Sequence, residues 1–354
     1  MSSFVSLPLL SFLALPALTS PSTSLNILFF YVTWTTLVLS HSPLKVEVYG
    51  SLAIRAIFYI LPSLLFLAFD TVFPSLAVGV KAQGESAIPS RAGKDKAARV
   101  VAVATFNVLL GVALQTGTEL LFTEVFHVRS GIKVTASLPT PWGIAKDLLS
   151  AFAIRGVLHY AIHRYILHSE SSSYLSRWHN TWQHSVRAPY AFVATYDHPI
   201  CYVLSHWVPT YAPALLFRFH VLTYHLFTAL VSLEEALVYS GYSVLPSTIV
   251  LSGMARRTDA HFTSKGKGNF GVWGLLDWLS GTTVAGGKDV IDDVGDEMEK
   301  HGVARRASDA IENGKGMVED AKERLGGAET GDRKSKRNER RQMRKESVPS
   351  IEEE

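Results

Sequence analysis

Long apolar segments, separated by short polar connections, dominate the first 284 residues of this chain. A helix needs about 20 predominantly apolar residues to cross the hydrocarbon core of a bilayer. The segment at 52–80 exceeds that length. Residues 4–18 are shorter and are interrupted by Pro8 and Pro16, so they fit an anchor or an interfacial helix. The other predicted membrane segments are residues 25–39, 100–122, 144–158, 201–217 and 222–238.

The polar connection at 81–99 predicts how these segments are oriented. It carries the basic residues Lys81, Arg91, Lys94, Lys96 and Arg99 against two acids, and such a basic excess is typical of cytosolic loops. Counting crossings from this loop places the histidine-rich stretch at 155–199, a histidine at 261 and the C-terminal tail on one cytosolic face. The predicted fold is therefore an all-α polytopic membrane helical bundle with a histidine-rich cap on its cytosolic face.

The sequence predicts four regions along the chain. Residues 1–80 hold N-terminal membrane segments, 81–99 form the basic loop, 100–284 form a membrane domain, and 285–354 form a charged cytosolic tail. The tail ends in a basic run at 333–345 followed by three glutamates near the terminus. Its composition is typical of a partly disordered, solvated segment, although the basic run also fits contact with anionic lipid headgroups.

Composition narrows the chemistry that the chain can support. The sequence is 47% hydrophobic even with its charged tail, as in polytopic membrane proteins, and its net charge of +3 gives no reason to expect a nucleic-acid partner. The single cysteine, Cys201, excludes an intramolecular disulfide, a thiolate zinc site and an iron–sulfur cluster. Any metal would therefore need imidazole and oxygen ligands. The N-terminus lacks a basic region before its apolar stretch, so we expect no cleaved signal peptide.

Six of the thirteen histidines lie between residues 155 and 199. His159 and His163 are four residues apart and would share one face of a helix. His163 and His168 are five apart, so they can reach one centre only if the helix ends or bends between them. One histidine at a membrane interface is usually structural, but several at one membrane face indicate function. Imidazole ligands suit iron, copper, zinc and nickel.

The motifs around these histidines resemble those of a known family. They are H-R-Y-I-L-H at 163–168, H-N-T-W-Q-H-S-V-R-A-P at 179–189, Y-D-H-P at 196–199, and D-A-H-F at 259–262 with the closing N-F-G, D-W and G-T. In order and spacing they resemble the fatty acid hydroxylase/sterol desaturase superfamily of integral membrane di-iron oxygenases, over residues 147–282. The ligand set that this resemblance implies is His163, His168, His179, His184, His198 and His261.

The chain departs from the family pattern at four expected ligands. Gln183, Tyr239, Thr258 and Phe262 stand where the family usually has histidines. A di-iron centre, a mononuclear or zinc-like site, and the absence of metal all remain open on the sequence. Substitute ligands are conceivable at Gln183, Asp197, Glu234, Glu235, Asp259 and His159.

The resemblance implies O2-dependent hydroxylation or desaturation of a sterol, a fatty acyl chain or a sphingolipid. It also implies iron, an electron donor of the cytochrome b5 or reductase type at the cytosolic face, and residence in the endoplasmic reticulum. Cleavage of an aliphatic C–H bond needs a redox cofactor rather than acid–base catalysis. The alternatives are a catalytically degenerate lipid-binding or scaffold protein, and a zinc-dependent lipid hydrolase, for which the chain lacks an H-E-x-x-H motif.

Three smaller features complete the sequence picture. The aromatic residues Trp178, Trp182, Tyr190 and Phe192 fit either a lipid tunnel or an interfacial aromatic belt. Arg164 fits either a residue that orients a ligand or an interfacial arginine. The glycines at 266, 268 and 271 predict a tight loop rather than a phosphate-binding loop, because the Walker lysine–serine pair is absent.

Overall fold

The computed structural model describes residues 21–170, 173–245, 247–284 and 290–300, together with residues 312, 315, 316, 339 and 340. The chain separates into two compact units, Met1–Val294 and Gly295–Glu354. The described residues of the second unit are helical. The apolar segment at 4–18 and nearly all of the basic run at 333–345 lie outside the described residues.

The described part of the chain is built from helices. Extended pairing within it is limited to two isolated bridges, Lys81 with Tyr242 and Lys133 with His220. The all-α prediction is thus confirmed. The helices are α1 (Pro21–Ser40), α2 (Pro43–Val72), α3 (Pro74–Val80), α4 (Lys94–Val125), α5 (Pro141–Ile162), α6 (Tyr174–Trp182), α7 (Pro199–Phe217), α8 (Val221–Val238), α9 (Gly253–Thr263), α10 (Leu275–Leu279) and α11 (Val290–Lys300).

Four helices, α2, α4, α7 and α8, are long and apolar enough to cross a membrane. The chain is therefore an integral membrane protein. The predicted segment at 52–80 is divided in the structure, because Phe73 leaves the helical conformation and Pro74 begins α3. The segment at 144–158 lies within α5, which has 22 residues but is not among the four apolar helices.

Two pairs of oppositely charged side chains are buried inside the bundle. Arg55 on α2 donates a hydrogen bond to Glu235 at 2.6 Å, and Arg155 on α5 donates one to Glu234 at 2.8 Å. All four side chains are buried. Because a buried charge without a partner costs several kcal/mol, these two pairs hold α8 against α2 and α5.

Buried polar contacts also fix the loop at 191–197 against the membrane helices. Asn107 on α4 donates to the carbonyl oxygens of Thr195 and Asp197, both at 2.9 Å. Tyr59 on α2 shares a 2.8 Å hydrogen bond with the Thr195 hydroxyl. Phe192 of the same loop packs in an apolar cluster with Tyr59. The position of Asp197 is thereby set by α2 and α4, which bear none of the candidate ligands.

Candidate metal centre

Five histidines converge on one point at the end of the bundle. Each offers one ring nitrogen, and these nitrogens all lie within 4.8 Å of one another. The residues come from separate elements: the turn that continues α5, helix α6, the short turn after it, and α9. They are His163, His168, His179, His184 and His261. Five of the six histidines in the predicted ligand set are thus brought together.

A widened helical turn explains how His163 and His168 reach the same point. Residues His163–Leu167 form a π turn, in which the amide of His168 donates to the carbonyl of His163 at 2.9 Å. A π turn places residues five apart on the same face, and such turns are frequent at functional sites. The two ring centres are 4.9 Å apart. The π turn therefore supplies the bend that the five-residue spacing of His163 and His168 requires.

The outward nitrogens of three rings are fixed by oxygen acceptors. His163 Nδ1 lies 2.8 Å from the Phe270 carbonyl, and His261 Nδ1 lies 2.7 Å from the Gly268 carbonyl. His179 Nδ1 lies 2.6 Å from a carboxylate oxygen of Asp197. Each Nδ1 must carry the proton to donate to oxygen, so each Nε2 presents a lone pair toward the centre. Metal-binding histidines typically have such partners.

The inward nitrogens are buried together without protein partners to satisfy them. Nε2 of His163, Nε2 of His261 and Nδ1 of His184 have no hydrogen-bond partner among the described residues. Nε2 of His168 lies 3.2 Å from Nε2 of both His179 and His184. Buried polar atoms are normally paired, and an ion is one explanation for exceptions. Five nitrogen donors therefore fit a transition-metal ion, including iron.

The electrostatics of the centre favour the neutral form of four of its imidazoles. Burial, together with repulsion from the charged form of His179, lowers the pKa of His184 to about 3. Burial and neighbouring imidazoles also lower the pKa of His163, His168 and His261. A metal binds imidazole only in its neutral form. These four residues are thus in the right protonation state near neutral pH.

His198, the sixth predicted ligand, lies outside this group. Its ring stacks on Trp178 with ring centres 4.2 Å apart, and its Nδ1 accepts a hydrogen bond from the Ile200 amide at 3.3 Å. It therefore caps the start of α7. The cap leaves Nδ1 engaged at the helix terminus rather than directed at the five-histidine group.

Three of the six conceivable substitute ligands are engaged elsewhere, since Asp197 contacts His179, and Glu234 and Glu235 pair with arginines. His159 Nδ1 lies 2.7 Å from the Ser205 carbonyl, so its Nε2 keeps a lone pair, as in His163 and His261. Gln183 and Asp259 are both buried, and Asp259 Oδ1 has no hydrogen-bond partner within the described chain. Among the described residues, His159 and the four carboxylates lie outside the five-histidine group.

Asp277 positions the loop that supports two of the histidines, a role that sequence reasoning missed. Its carboxylate accepts hydrogen bonds from the Phe270 amide at 2.8 Å, the Gly271 amide at 2.7 Å and the Thr282 hydroxyl at 2.7 Å. Burial raises the pKa of this carboxyl. The loop in turn presents the carbonyls that fix His163 and His261. The only sequence signal was the D-W pair in the closing motif.

Gly266 gives His168 the room it needs. Its φ of +75° favours glycine, and a Cβ at this position would lie 2.1 Å from the Cε1 atom of His168. The predicted tight loop therefore packs, at Gly266, directly against the His168 ring of the metal centre. Arg164 points elsewhere, donating to the Tyr160 hydroxyl at 2.5 Å.

An apolar cavity of about 220 Å³ lies beside the centre, between α5 and the segment 271–276. Its lining includes Phe152, Val157 and Trp273, and His159 stands at its wall. A smaller cavity, which shares His159 and Gly271 with it, reaches His163 and His261. The aromatic residues at 178, 182, 190 and 192 do not line the larger cavity. The larger cavity thus adjoins the smaller one, which touches the histidines, through lining residues that the two share.

The fold and the site together define an integral membrane protein with a candidate histidine-rich metal centre. Residues 148–282 match the fatty acid hydroxylase family, and the match spans all five converging histidines. These residues make up less than half of the chain, and their match supports membership of the fatty acid hydroxylase superfamily for this domain.

A curated relative agrees with that assignment. The chain is 24% identical over 180 residues to fatty acid hydroxylase ahd1 of Mycosarcoma maydis. The alignment covers 51% of this chain and 43% of the relative, so the chain matches less than half of the relative's length. No solved structure matches the chain.

Proposed function

We propose that this protein is a membrane-bound, iron-dependent oxygenase that hydroxylates or desaturates a lipid with O2. The observation that carries the proposal is the convergence of five imidazoles beside an apolar cavity. Iron held by these histidines would supply the activation of dioxygen, which amino-acid side chains cannot perform. Membership of the fatty acid hydroxylase superfamily supports the same chemistry.

The protein's own residues would hold the metal and the lipid in fixed positions. Asp197 and the carbonyls of Gly268 and Phe270 orient three of the rings. The cavity would receive an apolar chain, because its lining is dominated by aliphatic and aromatic side chains. His159 lines both the larger and the smaller cavity. It would therefore contact the part of the lipid chain that lies closest to the metal.

The site favours the oxygenase over the two alternatives. A zinc hydrolase needs a general base near the metal, yet the carboxylates of Asp197, Glu234 and Glu235 are paired with histidine or arginine. Asp259, whose Oδ1 has no partner among the described residues, lies outside the five-histidine group. A degenerate scaffold would have no need for buried nitrogens that lack partners, which cost free energy unless an ion binds them. The retained geometry therefore supports catalysis.

We further propose that the site faces the cytosol of the endoplasmic reticulum and receives electrons from a cytochrome b5-type protein or a reductase. The basic loop supports this orientation even though Lys81 is buried against Asp70. Lys94, Lys96 and Arg99 remain exposed, and a basic excess near membrane helices is typical of cytosolic loops.

Isotopically labelled O2 tests the proposed function directly. The full-length protein, loaded with iron in lipid nanodiscs, is supplied with a reductant and a fatty acyl lipid. In hydroxylation one oxygen atom enters the new C–OH bond and the other leaves as water, with two electrons from the reductant. Labelled hydroxyl lipid identifies a hydroxylase, and an unlabelled alkene formed with O2 consumption identifies a desaturase.

The control variants separate the metal centre from its surroundings. His163→Ala should abolish product formation, whereas His198→Ala should retain it because that ring lies outside the five-histidine group. If the iron-loaded protein makes neither product from fatty acyl, sterol and sphingolipid substrates, the oxygenase proposal is wrong.

A further inference from the structure

We infer that the centre holds one metal ion per chain, whereas the family that the chain resembles uses two. This inference rests on the proposed metal centre but not on the lipid reaction. It concerns how many ions the residues of this chain can ligate.

The nitrogens of the ligand group form a compact cluster. Imidazole nitrogens lie about 2.1 Å from a bound metal, so opposite ligands of one ion are at most about 4.2 Å apart. The five nitrogens here span at most 4.8 Å. A small inward shift of the rings therefore brings all five within bonding distance of a single ion. Two ions about 3.5–4 Å apart would leave each with only two or three of these ligands.

Some of the replaced ligands lie next to His163 and His261. Tyr239 and Thr258 line the small cavity there, at positions where the resemblance would place imidazoles. Phe262, another replaced ligand, packs its ring against His184 with centres 5.3 Å apart and against Tyr239 at 6.1 Å. A phenyl ring has no atom to offer a metal.

Two of the replaced residues, Tyr239 and Phe262, belong to the hydrophobic core, where they lie in one apolar cluster with Phe192 and Met254. Besides His163 and His261, only His159 offers an imidazole among the residues that line the small cavity. A second divalent ion there would have too few ligands to compensate for the water that it loses, which costs many kcal/mol. The chain thus closes one half of the family's site with core packing.

A second ion would also add positive charge to the buried site. Two divalent ions would bring four positive charges into a buried site whose five ligands are imidazoles, which carry no negative charge. Three of the conceivable carboxylate ligands are already engaged: Asp197 with His179, Glu234 with Arg155, and Glu235 with Arg55. One ion halves that charge. Asp259 is the exception, because its buried Oδ1 has no hydrogen-bond partner in the part of the chain described.

Metal titration of the full-length protein tests the inference. The purified protein in nanodiscs is stripped with a chelator and titrated with Co²⁺, whose visible absorption reports its ligands. Bound metal per chain is also measured by mass spectrometry. We expect a single break at one equivalent and the paramagnetic spectrum of an isolated ion. His198→Ala and Asp259→Asn should titrate identically, because neither residue belongs to the ligand group.

A restoring variant provides the converse experiment. Replacing all four departures at once (Gln183→His, Tyr239→His, Thr258→His and Phe262→His) should raise the end point toward two equivalents and couple the two spins. If this variant does not fold, the wild-type end point still decides the question.

The outcomes separate this inference from the proposed function. Two equivalents in the wild type would overturn the one-ion inference and leave the oxygenase proposal standing. No bound metal would overturn both. An end point that falls from two equivalents in the wild type to one in Asp259→Asn would show that this carboxylate holds a second ion, against the inference.

Discussion

Two buried polar clusters in this protein differ in how their polar groups are paired. In the bundle, Arg55 with Glu235 and Arg155 with Glu234 form ion pairs at 2.6 and 2.8 Å. In the five-histidine group, three inward nitrogens have no partner among the described residues. The first cluster is held by charge pairing, although Glu235 Oε1 has no hydrogen-bond partner among the described residues. The second cluster turns several nitrogen lone pairs toward one point. A site is therefore indicated by converging lone pairs, and not by a single buried polar atom that lacks a partner.

The largest effect should come from breaking an ion pair. Glu235→Ala leaves the Arg55 guanidinium buried without a carboxylate, which should lower the free energy of unfolding by about 3–5 kcal/mol. Chemical unfolding in detergent measures this change. Glu124→Ala, at an exposed position, should stay within about 0.5 kcal/mol of the wild type. If the two variants unfold alike, the pair does not stabilise the bundle.

Removing a ligand should affect metal binding far more than folding. His163→Ala should lose most of its bound metal. In excess chelator it should be destabilised less than Glu235→Ala, because it removes one hydrogen bond, from Nδ1 to the Phe270 carbonyl, and leaves no buried charge without a partner. Metal content and chemical unfolding of the same samples check both parts. An equally unstable metal-free variant would mean that the histidines are structural.

The carboxylate behind His179 should have a smaller effect on metal affinity. Asp197→Asn keeps the shape but weakens the 2.6 Å contact that fixes the ring, so metal affinity should fall about 10–100-fold. A competition titration against a coloured chelator measures the change. Its neighbour in sequence supplies the control, since His198→Ala should not shift the affinity. An unchanged metal affinity in Asp197→Asn would show that this carboxylate does not orient His179 for metal binding.

Filling the apolar cavity should slow the reaction without changing metal content. Gly156 lines the cavity, and a Cβ there meets no atom within 4 Å, so Gly156→Phe should project into the cavity. Lipid turnover should fall about tenfold or more, because misplaced substrate is costly. Gly117→Phe is the matched control, since Gly117 is also helical and open. Equal turnover in both variants would mean that lipid uses another route.

The sequence predicted the class of fold and most of the candidate ligands, but not how they are arranged. Apolar segments long enough to span a bilayer and the order of the histidine motifs were readable, because both are local patterns. The π turn at His163–Leu167 was not, since no residue signals one extra residue in a helical turn. His198 matched a motif, yet a short-range cap engages its ring.

Long-range partners were the part that local patterns could not show. The contact of Asp277 with the loop amides and the pairing of Glu234 and Glu235 with arginines depend on tertiary packing. The pairing decides the role of both glutamates: the sequence offered them as metal ligands, and the structure engages them in the bundle.

X-ray absorption at the metal edge of the iron-loaded, full-length protein tests the central claim most directly. Five converging imidazoles predict a first shell dominated by nitrogen at about 2.1 Å, with the multiple-scattering pattern of histidine rings and no metal–metal distance. His163→Ala should weaken that pattern and His198→Ala should leave it unchanged. A shell without imidazole scattering in the wild type would contradict the assignment of these histidines as a metal centre.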